Sequence, residues 1–193
     1  MFKPGHKPPH KGRSTTTDPV KCPQVVAKIK ALLANDARDL ALWTVAINTA
    51  LRSGDLCSLT WADTLDDGVQ ITIRVLEGKT KKPRLIPMNA EASAVLRTWR
   101  SQCRSEFVFS GQRGQLTTAA WGRMVKAWCH AVGLEGSFSG HTARKTFVRI
   151  QHDVHGTSLP VLMTVLNHSS ERQTLTYMGR LGDDVTKAYG HSI

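Results

Sequence analysis

The sequence predicts an α+β domain that is mainly helical and carries one small antiparallel sheet. Apolar residues recur at helical spacing through most of the chain, for example at Leu40, Trp43 and Ile47. The segment 69–75 changes period, because apolar and polar residues alternate along it. A short returning strand follows at 84–87, so the two segments are expected to pair as a hairpin.

The other elements follow from local signals along the chain. A first helix starts near Val25, and a second covers residues 37–51 until Ser53-Gly54 interrupts it. Asn89 is a suitable N-cap for a helix over residues 90–102. Further helices are predicted at residues 117–132, 142–153, 158–167, 171–177 and 183–189.

Length and charge limit the classes to which this protein can belong. Its 193 residues suffice for one domain, and a 40% hydrophobic content is that of a globular protein. The net charge of +11 favours nucleic acid or an anionic membrane as partner, because phosphate contacts release counterions. A basic surface without such a role is the alternative. No apolar run is long enough to span a bilayer, and the N-terminus lacks the apolar stretch of a secretory signal.

Composition divides the chain into three parts. Residues 1–23 carry five Lys or Arg against one Asp and are rich in Pro and Gly, which predicts a basic flexible arm. Residues 24–180 hold the predicted elements and form the expected domain, and residues 181–193 form a C-terminal tail. The four cysteines are scattered without zinc-type spacing, so free thiols are expected.

Three segments contain side chains suited to binding a phosphate. His141 and Arg144 lie three residues apart at the start of a predicted helix and therefore share one face. The fork of an arginine and a helix N-terminus both suit phosphate oxygens, although an ordinary exposed pair is the simpler explanation for these two alone. Asn167 can end a helix in the left-handed conformation and turn His168 outward, but a lone histidine is more often structural.

Arg52 closes a buried helix just before a glycine-containing break. Its charged head must reach solvent, pair with Asp55 or hold an anion. Pairing with Asp55 is the structural alternative, and it is compatible with anion binding, since a carboxylate can orient an arginine that also holds a phosphate.

Lys79 lies at the tip of the predicted hairpin, where an ammonium group can protonate a leaving oxygen. A solvated basic turn is the alternative. Tyr177 follows the polar run 169–174 and does not belong to an apolar stripe, which suits a mobile nucleophile. The remaining basic side chains near these segments are expected to contact a nucleic-acid backbone: Lys81, Lys82, Arg84 and Lys145.

In this order and spacing, the segments resemble the catalytic domain of the tyrosine recombinases, the phage integrase family. The first box of that family resembles residues 50–63, and its Leu-Gly-His box resembles residues 166–168. The resemblance covers about residues 24–180. Any one piece is weak, but six in order make a specific signal. The residues that match the catalytic positions of the family are Arg52, Lys79, His141, Arg144, His168 and Tyr177.

The resemblance implies a transesterification that needs no metal ion or other cofactor. Tyr177 would attack a scissile DNA phosphate, form a 3′-phosphotyrosyl link and release a 5′-hydroxyl. Arg52 and Arg144 would neutralise charge on the pentacoordinate phosphorus. Lys79 would protonate the leaving oxygen, and His141 would assist proton transfer at the tyrosine. A second 5′-hydroxyl can reverse the reaction, which permits strand exchange.

The chain departs from the family pattern at three positions. Asn167 replaces the usual Gly beside His168, whose implied role is a hydrogen bond to a non-bridging phosphate oxygen. Lys145 stands where His is common, and Ala143 stands where Leu is common. None of these changes removes a catalytic group.

The chain is short for the family, whose members usually carry a helical core-binding domain before the catalytic one. We expect either an excised catalytic domain or a short recombinase of the fimbrial-switch type. In both cases DNA binding by this chain alone should be weak and sensitive to salt.

The resemblance also implies partners and location. Double-stranded DNA would be the substrate, four protomers would assemble on it, and accessory DNA-bending proteins would be further partners. The tail would dock on a neighbouring protomer, and the protein would be cytoplasmic and nucleoid-associated, without a membrane.

The alternatives are a DNA-binding regulator without catalysis and a type IB-like topoisomerase. The presence of all six catalytic residue types argues against the first, and the short spacing from the His-x-x-Arg box to Tyr177 argues against the second.

Overall fold

A computed structural model describes residues 17–76, 83–111 and 114–179. Within them the helices are α1 (Pro23–Leu32), α2 (Ala37–Thr49), α3 (Ser53–Cys57), α4 (Ala90–Gln102), α5 (Thr118–Ala131), α6 (His141–Asp153), α7 (Leu159–Leu166) and α8 (Glu171–Met178). The strands are β1 (Thr64–Asp66), β2 (Ile71–Leu76), β3 (Pro83–Pro87), β4 (Ser110–Gly111) and β5 (Gly114–Gln115). The mainly helical α+β class is therefore confirmed.

Polar side chains fix the starts of four helices. The side chain of Asp36 accepts a hydrogen bond from the backbone of Asp39 at 2.9 Å, and Asn89 does the same for Ala92 at 2.9 Å. These bonds satisfy backbone donors that have no partner in the first turn. Thr117 and Ser170 cap α5 and α8 in the same way.

The main sheet has the strand order β1-β2-β3, with both pairs antiparallel. Ile73 of β2 faces Thr64 of β1 on one side and Ile86 of β3 on the other. Ile71, Ile73 and Ile86 are buried, whereas alternate residues of β2 and β3 are more exposed. The sheet thus packs one face on the helices.

The core is centred on three tryptophans from two helices. Trp43 of α2 lies 6.1 Å from Trp128 of α5, and Trp121 of α5 lies 5.7 Å from Trp128, in edge-to-face geometry. A smaller apolar cluster joins the last three helices and consists of Val148, Leu162, Leu166 and Met178. Helix α6 contributes to both clusters, so its first turn is held between the two halves of the packing.

One strand starts later than predicted and another strand was not predicted, each for a local reason. The strand expected from Val69 starts at Ile71, because Asp67 accepts hydrogen bonds from the backbones of Val69 and Gln70 and turns the chain. Strand β1 escapes the sequence pattern because three residues are too few to show alternation. The helix expected over residues 183–189 lies outside the described residues.

The segment before α1 is packed against the domain. The backbone of Asp18 donates to the Ser137 carbonyl at 2.7 Å, and its carboxylate accepts from the Ser137 backbone at 2.9 Å. The backbone of Val20 donates to the Thr146 hydroxyl at 2.9 Å, and the Val20 side chain is buried. The packed structure therefore begins before residue 24, and the earlier part of the predicted arm lies outside the described residues.

Candidate active site

Arg144 is a buried cation that joins two helix ends. Only 4% of the residue is exposed, although it lies in the first turn of α6. Its Nη1 donates to the carbonyl of Ala50, just after α2, and its Nη2 donates to the carbonyl of Leu166, the last residue of α7, at 2.9 Å. Such carbonyls lack partners within their own helix and lie at the negative end of its dipole, so they stabilise a buried guanidinium.

Both helix ends finish in the left-handed conformation. Ala50 has φ 51° and Asn167 has φ 55°, and neither is a glycine. Asparagine tolerates this region, which confirms the prediction that Asn167 ends the helix before His168. The reversal after Ala50 places Arg52 at the N-cap position of α3.

A close backbone approach fixes the start of α6. A Cβ added to Gly140 would lie 2.6 Å from the Ser53 hydroxyl oxygen and 2.6 Å from Cδ1 of Trp121, so only glycine fits there. The indole nitrogen of Trp121 also donates to the Gly140 carbonyl at 3.2 Å. The next residue, His141, is therefore set by contacts to α3 and α5.

His168 has a defined orientation. Its Nδ1 lies 3.0 Å from the hydroxyl oxygen of Thr174, which is fully buried. When that hydroxyl donates, the other ring nitrogen carries the proton and can donate to an anion. Burial lowers the pKa of His168, and the charges of Arg144 and Arg52 lower it further.

Tyr177 lies on α8 with its hydroxyl buried. The guanidinium of Arg144 lies close to that hydroxyl. Burial raises the pKa of Tyr177, while the nearby guanidiniums of Arg144 and Arg52 oppose the rise. The ring meets His168 edge-on, and the ammonium of Lys145 lies 5.3 Å from the ring centroid. A phenol in this setting stays protonated at neutral pH and needs a base to become a nucleophile.

His141 and Lys145 form the rim of the same region. Partial burial lowers the pKa of His141, and the charges of Arg144 and Lys145 add to the effect. Burial also lowers the pKa of Lys145, while the Asp18 carboxylate raises it. A neutral His141 is the form that can accept a proton.

These side chains meet in one cleft of about 300 Å³. Its lining residues are Arg52, His141, Arg144, Asn167, His168, Gln173 and Tyr177. The structure thus brings together five of the six residues that the sequence suggested for catalysis. The sixth, Lys79, lies outside the described residues, as do Lys81 and Lys82. Two guanidiniums and two imidazoles around a tyrosine can hold a phosphate and attack it.

Three contributors have little or no sequence signal. Gln173 lines the cleft, and its side-chain oxygen accepts from the Ser169 backbone at 3.3 Å. Thr174 orients His168 from six residues away, a spacing with no recognised motif. Arg84, which was expected to contact DNA, donates to two backbone carbonyls at 2.8 and 3.2 Å. Its DNA contact, like that of Lys145, stays a prediction.

The described ranges contain no group of three or more His, Cys, Asp or Glu side chains placed to bind a metal ion. Among the same residues, no helix combines the length and apolar character that a membrane span requires. The four cysteines are free thiols, and burial raises the pKa of Cys57 and Cys129 to about 12.

Comparison with known proteins gives the class and the family. The fold is that of tyrosine recombinase catalytic domains: the XerA recombinase structure superposes with a TM-score of 0.73 at 22% identity, covering 90% of this chain and 65% of that one. The structure of XerH site-specific recombinase bound to palindromic difH substrate gives 0.71 at 20% identity, covering 90% and 52%. Residues 19–181 match the phage integrase family, and the chain belongs to that family.

Several of the sequence relatives are longer proteins. Tyrosine recombinase XerD of Pseudomonas putida is 33% identical over 150 residues, which cover 72% of this chain and 49% of the relative. The chain therefore spans about half the length of that recombinase.

Proposed function

We propose that the chain carries the catalytic domain of a site-specific DNA recombinase that works through a 3′-phosphotyrosyl intermediate. The observation that carries this proposal is the cleft in which Arg52, His141, Arg144 and His168 surround the buried hydroxyl of Tyr177. Membership of the phage integrase family supports it. Because the chain spans half of the XerD relative, the activity of a whole recombinase is part of the proposal.

The central step is an exchange of phosphodiester bonds. The oxygen of Tyr177 attacks the scissile phosphorus, a Tyr–O–P bond forms, and the P–O5′ bond breaks. The number of phosphoesters is unchanged, so a 5′-hydroxyl from another strand can reverse the step without an energy source. Arg52 and Arg144 stabilise the extra negative charge of the pentacoordinate state, which is the form of catalysis with the largest effect in such sites.

Two protons must move during this step. His141, kept neutral by its lowered pKa, accepts the phenolic proton of Tyr177. Lys79 gives a proton to the departing 5′ oxygen. His168, oriented by Thr174, donates a hydrogen bond to a non-bridging oxygen. No metal ion or other cofactor enters this scheme.

Double-stranded DNA is the proposed substrate. The net charge of +11 favours a polyanion, and XerH was solved with its difH substrate. Strand exchange requires four protomers on two duplexes. The tail, residues 181–193, is proposed to dock on a neighbouring protomer; if its deletion left cleavage and assembly untouched, that part would fail. Accessory DNA-bending proteins and a place on the nucleoid are further elements of the proposal.

Covalent trapping tests the function. The protein is incubated with nicked duplexes tiled from its own genetic neighbourhood, and the products are separated on a denaturing gel. A DNA-linked band is expected for the unsubstituted protein and none for Tyr177→Phe. Binding without an adduct would indicate a regulator, and relaxation of supercoiled plasmid without site preference would indicate a topoisomerase.

A further inference from the structure

We propose that Arg84 is a positioning residue that holds Arg52, Arg144 and His168 in register by tying two helix ends together. The inference rests on the proposed function, because the three side chains are catalytic only within it. In this proposal, the positioning role replaces the DNA contact that the sequence suggested for Arg84.

Two arginines span the same gap between α2 and α7. Nη1 of Arg84 donates to the carbonyl of Val165 at 2.8 Å, and Nη2 donates to the carbonyl of Thr49 at 3.2 Å. Arg144 donates to the carbonyls of the next residue at each helix end, Ala50 and Leu166. Each guanidinium thus takes one carbonyl from each helix.

The gap needs positive charge to be stable. The last carbonyls of a helix have no partner within it and carry the negative end of the dipole, so two helix C-termini placed together repel each other. A planar guanidinium with several fixed donors can bridge two such carbonyls, whereas a lysine ammonium acts as a point charge. Arg84 and Arg144 therefore cross-link the two ends at adjacent residues.

This cross-link lies directly before two residues of the cleft. Arg52 follows Ala50 by two residues, and His168 follows Leu166 by two residues. The distance between the two helix ends therefore sets how Arg52 and His168 are placed on either side of Arg144. A misplacement of about 1 Å in such a site can cost about 100-fold in rate.

The position of Arg84 on its strand agrees with an internal role. It lies two residues before the buried Ile86 on β3 and shares its face, while Leu85 between them is exposed. Its bonds to the carbonyls of Val165 and Thr49 direct the guanidinium towards the protein backbone.

The test compares Arg84→Lys with a matched control, Arg74→Lys, which changes an exposed arginine on the neighbouring strand β2. Single-turnover cleavage of a nicked duplex is followed at saturating protein, and Kd for the same duplex is measured over a range of salt. For Arg84→Lys we expect a rate constant lower by about 100-fold with Kd and its salt dependence unchanged. The control should cleave at the rate of the unsubstituted protein.

Arg84→Met extends the test to loss of charge. A weaker Kd with a salt slope reduced by about 1, at an unchanged saturated rate, would make Arg84 a phosphate contact and overturn the proposal. A lower final yield of adduct at an unchanged rate constant would show only a smaller folded fraction, and would overturn it as well.

Hydrogen exchange provides a readout that does not depend on cleavage. In Arg84→Lys, the backbone amides at the ends of α2 and α7 should exchange faster than in Arg74→Lys, because one cross-link between the two ends is lost. Unchanged exchange at both ends would overturn the proposal. If the unsubstituted protein formed no adduct, the proposed function would fail, and the exchange result would still decide whether Arg84 holds the helix ends.

Discussion

The rings of His168 and Tyr177 meet edge to face, with centroids 5.5 Å apart and planes at 80°. The contact joins the residue after the left-handed turn of α7 to the proposed nucleophile on α8. Because the two rings are in contact, groups that orient His168 also influence where the Tyr177 hydroxyl lies.

Thr174→Val tests the group that orients His168. Valine keeps the shape of the buried threonine but removes the hydroxyl that meets Nδ1 at 3.0 Å. Loss of one such bond, worth about 1 kcal/mol, should lower the cleavage rate by several-fold to about 10-fold. Thr176→Val is the control, because Thr176 is exposed on the same helix and its hydroxyl donates to the Arg172 carbonyl, away from His168. Equal rates for both variants would contradict the role of Thr174.

The two cleft histidines predict how stability depends on pH. Burial and the charge of Arg144 lower the pKa of both His141 and His168 from 6.5, so the unfolded chain binds these protons at a higher pH than the folded chain. The free energy of unfolding should therefore rise with pH through this region and fall as the pH drops below about 6.5. Urea unfolding at several pH values would measure this free energy. His168→Gln should flatten the slope, and a slope that is unchanged in this variant would contradict the prediction.

Lys145→Gln tests whether the lysine over the Tyr177 ring also contacts DNA. If its ammonium meets a phosphate, binding should weaken for every sequence alike, and the salt slope of log Kd should fall by about 1. Fluorescence anisotropy at several salt concentrations measures both quantities. An unchanged slope would limit Lys145 to its contact with the ring.

Gly140→Ala tests the close packing before α6. The added methyl would lie 2.6 Å from both Ser53 and Trp121, so overpacking should cost about 1–3 kcal/mol and shift His141. Thermal unfolding and cleavage should both be impaired. Gly122→Ala serves as the control, since its nearest neighbour, the Gly140 backbone nitrogen, lies at 3.5 Å and a helix interior favours alanine. If Gly140→Ala were as stable as Gly122→Ala, the packing argument would be wrong.

Local chemistry made much of the fold predictable. Asn89 was identifiable as an N-cap and Asn167 as a helix end because backbone conformation and neighbouring donors decide both features within a few residues. The alternation in β2 likewise reflects which side chains face the core. The six residues that match the catalytic positions of the family, in the same order, predicted a transesterification before any contact was known.

Hydrogen bonds between residues far apart in the chain were decided by the tertiary structure alone. The basic surroundings of Arg84 predict a DNA contact, but they do not indicate its carbonyl partners Val165 and Thr49, which lie 81 and 35 residues away. A helix end leaves carbonyls without a partner in their own helix, but which distant side chain reaches them is defined only when the helices pack. The sequence by itself therefore determined the reactive groups and their order. The packing of α2, α6 and α7 decided which side chains line the cleft and which carbonyls the buried Arg144 contacts, because a buried charge is stable only where surrounding groups compensate it.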